Sequence, residues 1–178
     1  MQQPLGFAGS KRMSLAWAWG LIALFLSVGC TRHSDFQTEG ASFLQGVWHQ
    51  QPLGFESDLL HYTLHEFTFT CDSMYAIMHK TSKSITVTDT CYTDGQWTEY
   101  AKAIYVVRGD SLITDGVYAQ PNWKQKISGC HQIGQYLPRF KIEHYSADSL
   151  VLSNRYDPRL IQLKKVKDIT CVPRKRFE

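Results

Sequence analysis

The sequence predicts an all-β chain: an antiparallel up-and-down barrel of eight to nine strands, preceded by a signal peptide. Three observations carry this. From Phe43 onward no long segment keeps apolar residues at helical spacing, whereas strict alternation recurs. Turn signals return about every ten residues, the rhythm of an antiparallel sandwich or barrel. Consecutive hairpins leave exposed edges unless the sheet closes, which favours a barrel. Composition agrees with one folded domain: 178 residues, 43% hydrophobic and 20% charged, with a net charge of only +3. So small an excess gives no footprint for nucleic acid.

The first thirty residues read as an address. Lys11 and Arg12 precede an apolar run from Met13 to Val28, the layout of a secretory signal peptide. Leu26-Ser27-Val28-Gly29-Cys30 resembles a bacterial lipobox, with Ser27 standing where Leu, Val or Ile is commonest. That resemblance implies cleavage after residue 29, a lipidated Cys30 and attachment to a membrane through more than one acyl chain. Residues 30–42 are polar and aperiodic and read as a flexible tether. The barrel domain is then expected over 43–178, in the bacterial cell envelope, on the periplasmic face of the outer membrane or at the surface.

Four cysteines remain: Cys71, Cys91, Cys130 and Cys171. An even count in an exported chain implies two disulfides, with three possible pairings. All four lie among turn residues, and no CxxC suggests zinc or a redox site. If successive hairpins simply alternate, Cys71, Cys91 and Cys130 share one rim. This favours Cys71 with Cys91 and Cys130 with Cys171.

The strands follow in order. Phe43 to Trp48 opens the domain. Leu60 to Cys71 places His61, Thr63, His65, Phe67 and Phe69 on one face. Asp72-Ser73 turns into Met74 to His79. Ile85 to Asp89 alternates with threonines and reads as a strand of its own. After Thr93-Asp94-Gly95, Gln96 to Val107 aligns Trp97, Glu99, Ala101, Ala103, Tyr105 and Val107. Arg108-Gly109-Asp110 turns into a short strand, Ser111 to Thr114, which a second Thr-Asp-Gly ends at Gly116. Ala119 to Leu137 is a long irregular stretch. Pro138 to Tyr145, Leu150 to Ser153 and Leu160 to Val166 complete the set.

Two features resemble a known family. Phe43-Leu44-Gln45-Gly46-Val47-Trp48 carries Gly-x-Trp on the first strand, as lipocalins and lipocalin-like barrels do. The closing hairpin, Phe140 to Ile142 through Asp148 to Leu152, is similar to the end of bacterial lipocalin-like domains. The resemblance implies that Gly46 and Trp48 form a structural plug at one barrel end. Two departures stand beside it: no Thr-Asp-Tyr matches the second lipocalin motif, and no arginine sits where the last strand would stack on Trp48. The whole chain also resembles a group of small Gram-negative lipoproteins, some carrying the name fumarate hydratase. Its residues do not support that name, since fumarases use an iron–sulfur cluster or a serine-bearing loop.

Candidate chemistry is sparse. His61 and His65 are four residues apart on a strand, about 13 Å, too far for one metal ion, so no metal or other cofactor is expected. Glu99 is read as solvated on an outward face; turned inward, it would need a partner. No catalytic residue stands out, and neither a G-x-S-x-G nor a phosphate-loop motif occurs. The basic end, from Lys164 to Arg176, reads as a solvated strand end and tail. The expectation is therefore a non-enzymatic barrel that binds a small apolar or amphipathic ligand or serves a structural role. His61, His65, Phe67, Phe69, Trp97 and Tyr105 would line its site. The alternatives are an envelope enzyme, or an interaction module docking through residues 119–137 with Trp123, Tyr136 and Leu137 exposed.

Overall fold

The computed structural model describes residues 37–84, 91–92 and 95–174. The signal peptide, Cys30 and the strand expected from Ile85 to Asp89 lie outside the described residues. Among the described residues nine strands follow one another: β1 (Gly46–Gln50), β2 (His61–Thr70), β3 (Ser73–Ser82), β4 (Gln96–Arg108), β5 (Ser111–Ala119), β6 (Gln135–Tyr136), β7 (Arg139–Tyr145), β8 (Ser149–Asn154) and β9 (Asp157–Lys167). All pairings are antiparallel. The order β4-β3-β2-β1-β9-β8-β7-β5 closes through β4 against β5, giving an eight-stranded up-and-down barrel with the short β6 added to β5.

Alternation decides what fills the interior. Phe67 and Phe69 on β2 face Ala76 and Met74 on β3, which face Ala101 and Ala103 on β4. The alanines on β3 and β4 make room for Phe67, Phe69 and Met74, so the interior packs without widening the barrel. Trp48, Phe67, Phe69, Met74, Leu112, Leu150 and Leu152 are fully buried and form the core at one end. A single 3-10 turn, Ser42–Leu44, closes that end from below. The Trp48 indole Nε1 donates to the Leu44 carbonyl at 2.7 Å. Lys165 on β9 holds its ammonium 4.9 Å from the Trp48 ring. A cation on the last strand thus does cover the tryptophan, as a lysine rather than the arginine looked for in sequence.

Gly-x-Trp acquires a physical reason. Gly46 has φ +144°, and a Cβ there would sit 2.7 Å from the Lys167 carbonyl oxygen. Only glycine lets β1 leave the plug and approach β9 at this distance. The register of β1 on β9 shifts between Val47 and Trp48, immediately after it.

Two sequence readings are corrected by the register. Thr114-Asp115-Gly116 is not a turn but the middle of β5, facing Tyr105, Ile104 and Ala103. Gly116 serves close approach, since a Cβ would meet the Lys102 carbonyl oxygen at 2.1 Å. The disulfides join Cys71 to Cys171 and Cys91 to Cys130, with Cα atoms 4.8 and 5.3 Å apart. The favoured pairing had placed Cys71 and Cys91 on one rim. In fact β3 pairs directly with β4, from Ser73 with Ile104 to Thr81 with Gln96. Cys91 therefore belongs to the rim where β3 ends, and Cys71 to the opposite rim, where β9 also finishes.

Residues 37–42 are docked on the plugged end. Thr38 donates from its backbone N–H and its hydroxyl to Asp72 Oδ2, at 2.8 and 3.0 Å. Gln37 Nε2 reaches Ser73 Oγ at 2.8 Å. The Ala41 N–H donates to the Tyr105 hydroxyl at 3.2 Å. This part of the expected tether is held by the barrel rather than free.

Candidate functional site: the open end of the barrel

The interior is divided along its axis. Below, Tyr105 completes the plug: its hydroxyl donates to the Cys71 carbonyl at 2.7 Å and accepts from Gln45 Nε2 at 2.9 Å. Burial pushes the Tyr105 phenol up to about 12. Above, the barrel opens into a cavity of about 340 Å³. Its apolar floor is Met78, Phe140 and Ile161, and its walls carry Gln50, Thr63, His65, Lys80, Tyr118, Tyr136, Asp157 and Arg159.

These polar residues come together because they lie toward one end of the barrel on six strands, β1, β2, β3, β5, β6 and β9. His65 faces Met78, one pair below Thr63 and Lys80, and Lys80 in turn faces Trp97. Gln50 Oε1 accepts from the His65 backbone N–H at 3.1 Å and contacts His65 Nδ1 at 2.8 Å. An oxygen that accepts from an amide N–H is a carbonyl, so Nδ1 carries the proton and Nε2 is left as an acceptor. Burial, with the Lys80 charge nearby, lowers the imidazole to about 4, only partly opposed by Asp157. His65 is a neutral side chain at ordinary pH.

Glu99 corrects the sequence reading most sharply. Its face is inward and the residue is buried. The partner an inward carboxylate requires is Lys80, whose Nζ lies 2.6 Å from Glu99 Oε2. Trp97 Nε1 and the Gln132 backbone N–H both approach Glu99 Oε1 at 3.3 Å. Alternation on β4 defines two faces without saying which is inside. The outer face too carries apolar residues, Ile104 and Val106, both exposed.

The other site candidates fall elsewhere. Phe67, Phe69 and Tyr105 belong to the packed lower core, not to the cavity. His61 is at the exposed rim, its Nε2 3.1 Å from Ser84 Oγ. Trp97 stacks on His131 at 5.2 Å, with Tyr92 edge-on to both rings. This aromatic group lies beside the Cys91–Cys130 disulfide and roofs Glu99. Of the six residues expected at the site, the structure places His65 on the cavity wall.

Sequence reasoning missed Lys80, Tyr118, Tyr136, Asp157 and Arg159. Asp157 and Arg159 form a bidentate pair, Nε to Oδ1 at 2.8 Å and Nη2 to Oδ2 at 2.6 Å. This holds the Asp157 carboxyl below its usual range. Burial raises the phenols of Tyr118 and Tyr136, so both stay protonated. Their spacing in sequence carries no motif; only the register assembles them.

The 119–137 segment does not offer the expected patch. Tyr136 is buried in the barrel, and Trp123 packs edge-on against Tyr75 and Tyr100 on the outer wall. Leu137 remains exposed, with Ile127 and Ile133. On the adjoining outer face of β1, β2 and β3, Glu66 contacts His79 at 3.1 Å and His49 at 3.6 Å. Among the described residues no group of three or more His, Cys, Asp or Glu is arranged to hold a metal ion. No family model matches the chain, and no curated protein or solved structure matches it significantly.

Proposed function

We propose that this is a lipid-anchored protein of the bacterial cell envelope whose lipocalin-like barrel binds a small amphipathic ligand at its open end, without catalysing a reaction. The observation that carries the reading is the divided interior. A plugged, solid half supports an open half with an apolar floor and a few convergent polar groups, the usual composition of a small-molecule site. Two disulfides suit an oxidising compartment such as the envelope. Gly46 and Trp48 at the plug, with Lys165 across the ring, support the lipocalin-like reading.

The rival reading, an envelope enzyme, draws on the same polar groups. Proton abstraction needs a base matched to neutral pH, and an imidazole lowered to about 4 is a weak one. Lys80 and Glu99 neutralise each other. The interior therefore favours holding a molecule over transforming one.

Native mass spectrometry of the protein extracted from envelopes in mild detergent tests the proposal. The expected spectrum shows a mature chain beginning at lipidated Cys30, with a small molecule lost on gentle activation. A mature chain that carries no such molecule, and takes up none from an envelope lipid extract, overturns ligand binding. An unmodified Cys30 overturns the anchor.

A further inference from the structure

Every charge around the cavity is already answered by the protein. Lys80 is met by Glu99 at 2.6 Å. Arg159 donates twice to Asp157, and its Nη1 reaches the His61 carbonyl at 3.1 Å. The Glu56 carboxylate accepts the backbone N–H groups of Leu53 and Gly54. An ionised ligand end placed beside Lys80 and Glu99, the buried part of the wall, would leave water without finding a free countercharge. A carboxylate or phosphate beside Lys80 would also meet Glu99 and Asp157, and an amine would meet Lys80 and Arg159. Burial of an unpaired ion there is costly and disfavours such headgroups.

What the cavity leaves unanswered is neutral. His65 Nε2 is an acceptor without a hydrogen-bond partner among the described residues, because Nδ1 holds the proton for Gln50. The hydroxyls of Tyr118 and Tyr136 likewise have no hydrogen-bond partner among the described residues. Both residues line the cavity. An acceptor open to the cavity can take a ligand donor, and a phenol hydroxyl can give or take. An alcohol meets both with one uncharged oxygen, which donates to the imidazole nitrogen and accepts from a phenol.

We infer that the open end of the barrel selects an uncharged, hydroxyl-bearing amphiphile with a single apolar chain, its hydroxyl on His65 Nε2 and its chain on Met78, Phe140 and Ile161. This rests on the ligand-binding reading above and names the chemistry of that ligand. The cavity, about 340 Å³, lies at the small end for ligand sites and suits one chain rather than a two-chain lipid.

The test uses the full-length oxidised protein held in amphipol, with empty amphipol as the blank. Equilibrium dialysis at pH 7 compares radiolabelled 1-octanol, octanoate and octylamine, which share a chain length and differ in headgroup charge. The expected result is saturable binding of octanol about tenfold tighter than of either ion. His65→Leu, which removes the acceptor, should weaken octanol about three- to tenfold and leave octanoate unchanged. Tyr118→Phe, which removes one oxygen from a partly exposed ring, should act in the same direction and carries the test if His65→Leu loses its near-ultraviolet circular dichroism. Octanoate or octylamine binding as tightly as octanol, or octanol indifferent to the variant, overturns the inference alone. Saturation by none of the three removes the ligand-binding reading along with it.

Discussion

A buried carboxylate costs several kcal/mol unless a cation meets it, and Lys80 meets Glu99 from the neighbouring strand. The two partners are unequally buried: the Glu99 side chain is 3% exposed and that of Lys80 23%. Removing Lys80 strands a charge that cannot reach water. Removing Glu99 leaves an ammonium on a flexible stem at the cavity wall, able to turn outward. Lys80→Ala is therefore expected to destabilise the fold by about 3 kcal/mol or more, and Glu99→Ala by clearly less. Urea unfolding of the two variants at pH 7 checks this. Equal losses would mean that the pair is no more buried at one end than at the other.

At the scale of elements, each disulfide fastens something the ladder does not. Cys71–Cys171 ties the segment after β9 to the turn between β2 and β3, across 100 residues. Cys91–Cys130 spans 39 residues and holds the segment bearing His131 and Gln132 over Trp97 and Glu99. By loop-closure entropy each contributes on the order of 4 to 5 kcal/mol. The pairs Cys71→Ala with Cys171→Ala and Cys91→Ala with Cys130→Ala should each lower the urea midpoint. Only the second should also change the near-ultraviolet signal of the aromatic group at the open end. A signal untouched by the second pair would show that the roof stands without its staple. The strands themselves were legible: β2, β7 and β8 lie where alternation put them, and β9 began only three residues before its expected start. β5 was cut short at Thr114-Asp115-Gly116, because the same glycine serves a turn or a close backbone approach, and β4 alone shows which.

For the whole molecule, acid should act in two stages. The His65 imidazole sits at about 4 in the fold against an ordinary 6.5, so between those pH values the unfolded chain binds the extra proton. Stability therefore falls as pH drops from about 6.5 to about 4, by up to about 3 kcal/mol. Gln50 and Phe67 touch the ring, while Lys80 and Asp157 set its field. Asp157, lowered by Arg159, adds a second loss only below its usual carboxylate range. Thermal melts from pH 7 to pH 3.5 should show the first decline in the native chain and a flattened one in His65→Gln. An identical decline in both would assign the acid sensitivity elsewhere.

The sequence by itself determined the all-β class and the up-and-down order. Those follow from alternation and turn residues, which are local. It also determined that four cysteines would form two bridges. The tertiary structure alone decided which cysteines pair, which face of β4 is inside and where the cavity lies. Each of those depends on register between strands distant in the chain. A one-residue slip exchanges the two faces, and a miscounted strand exchanges the two rims. Lys80 and Glu99 are 19 positions apart with nothing between them to mark a pair, and only β3 laid against β4 brings the ammonium to the carboxylate.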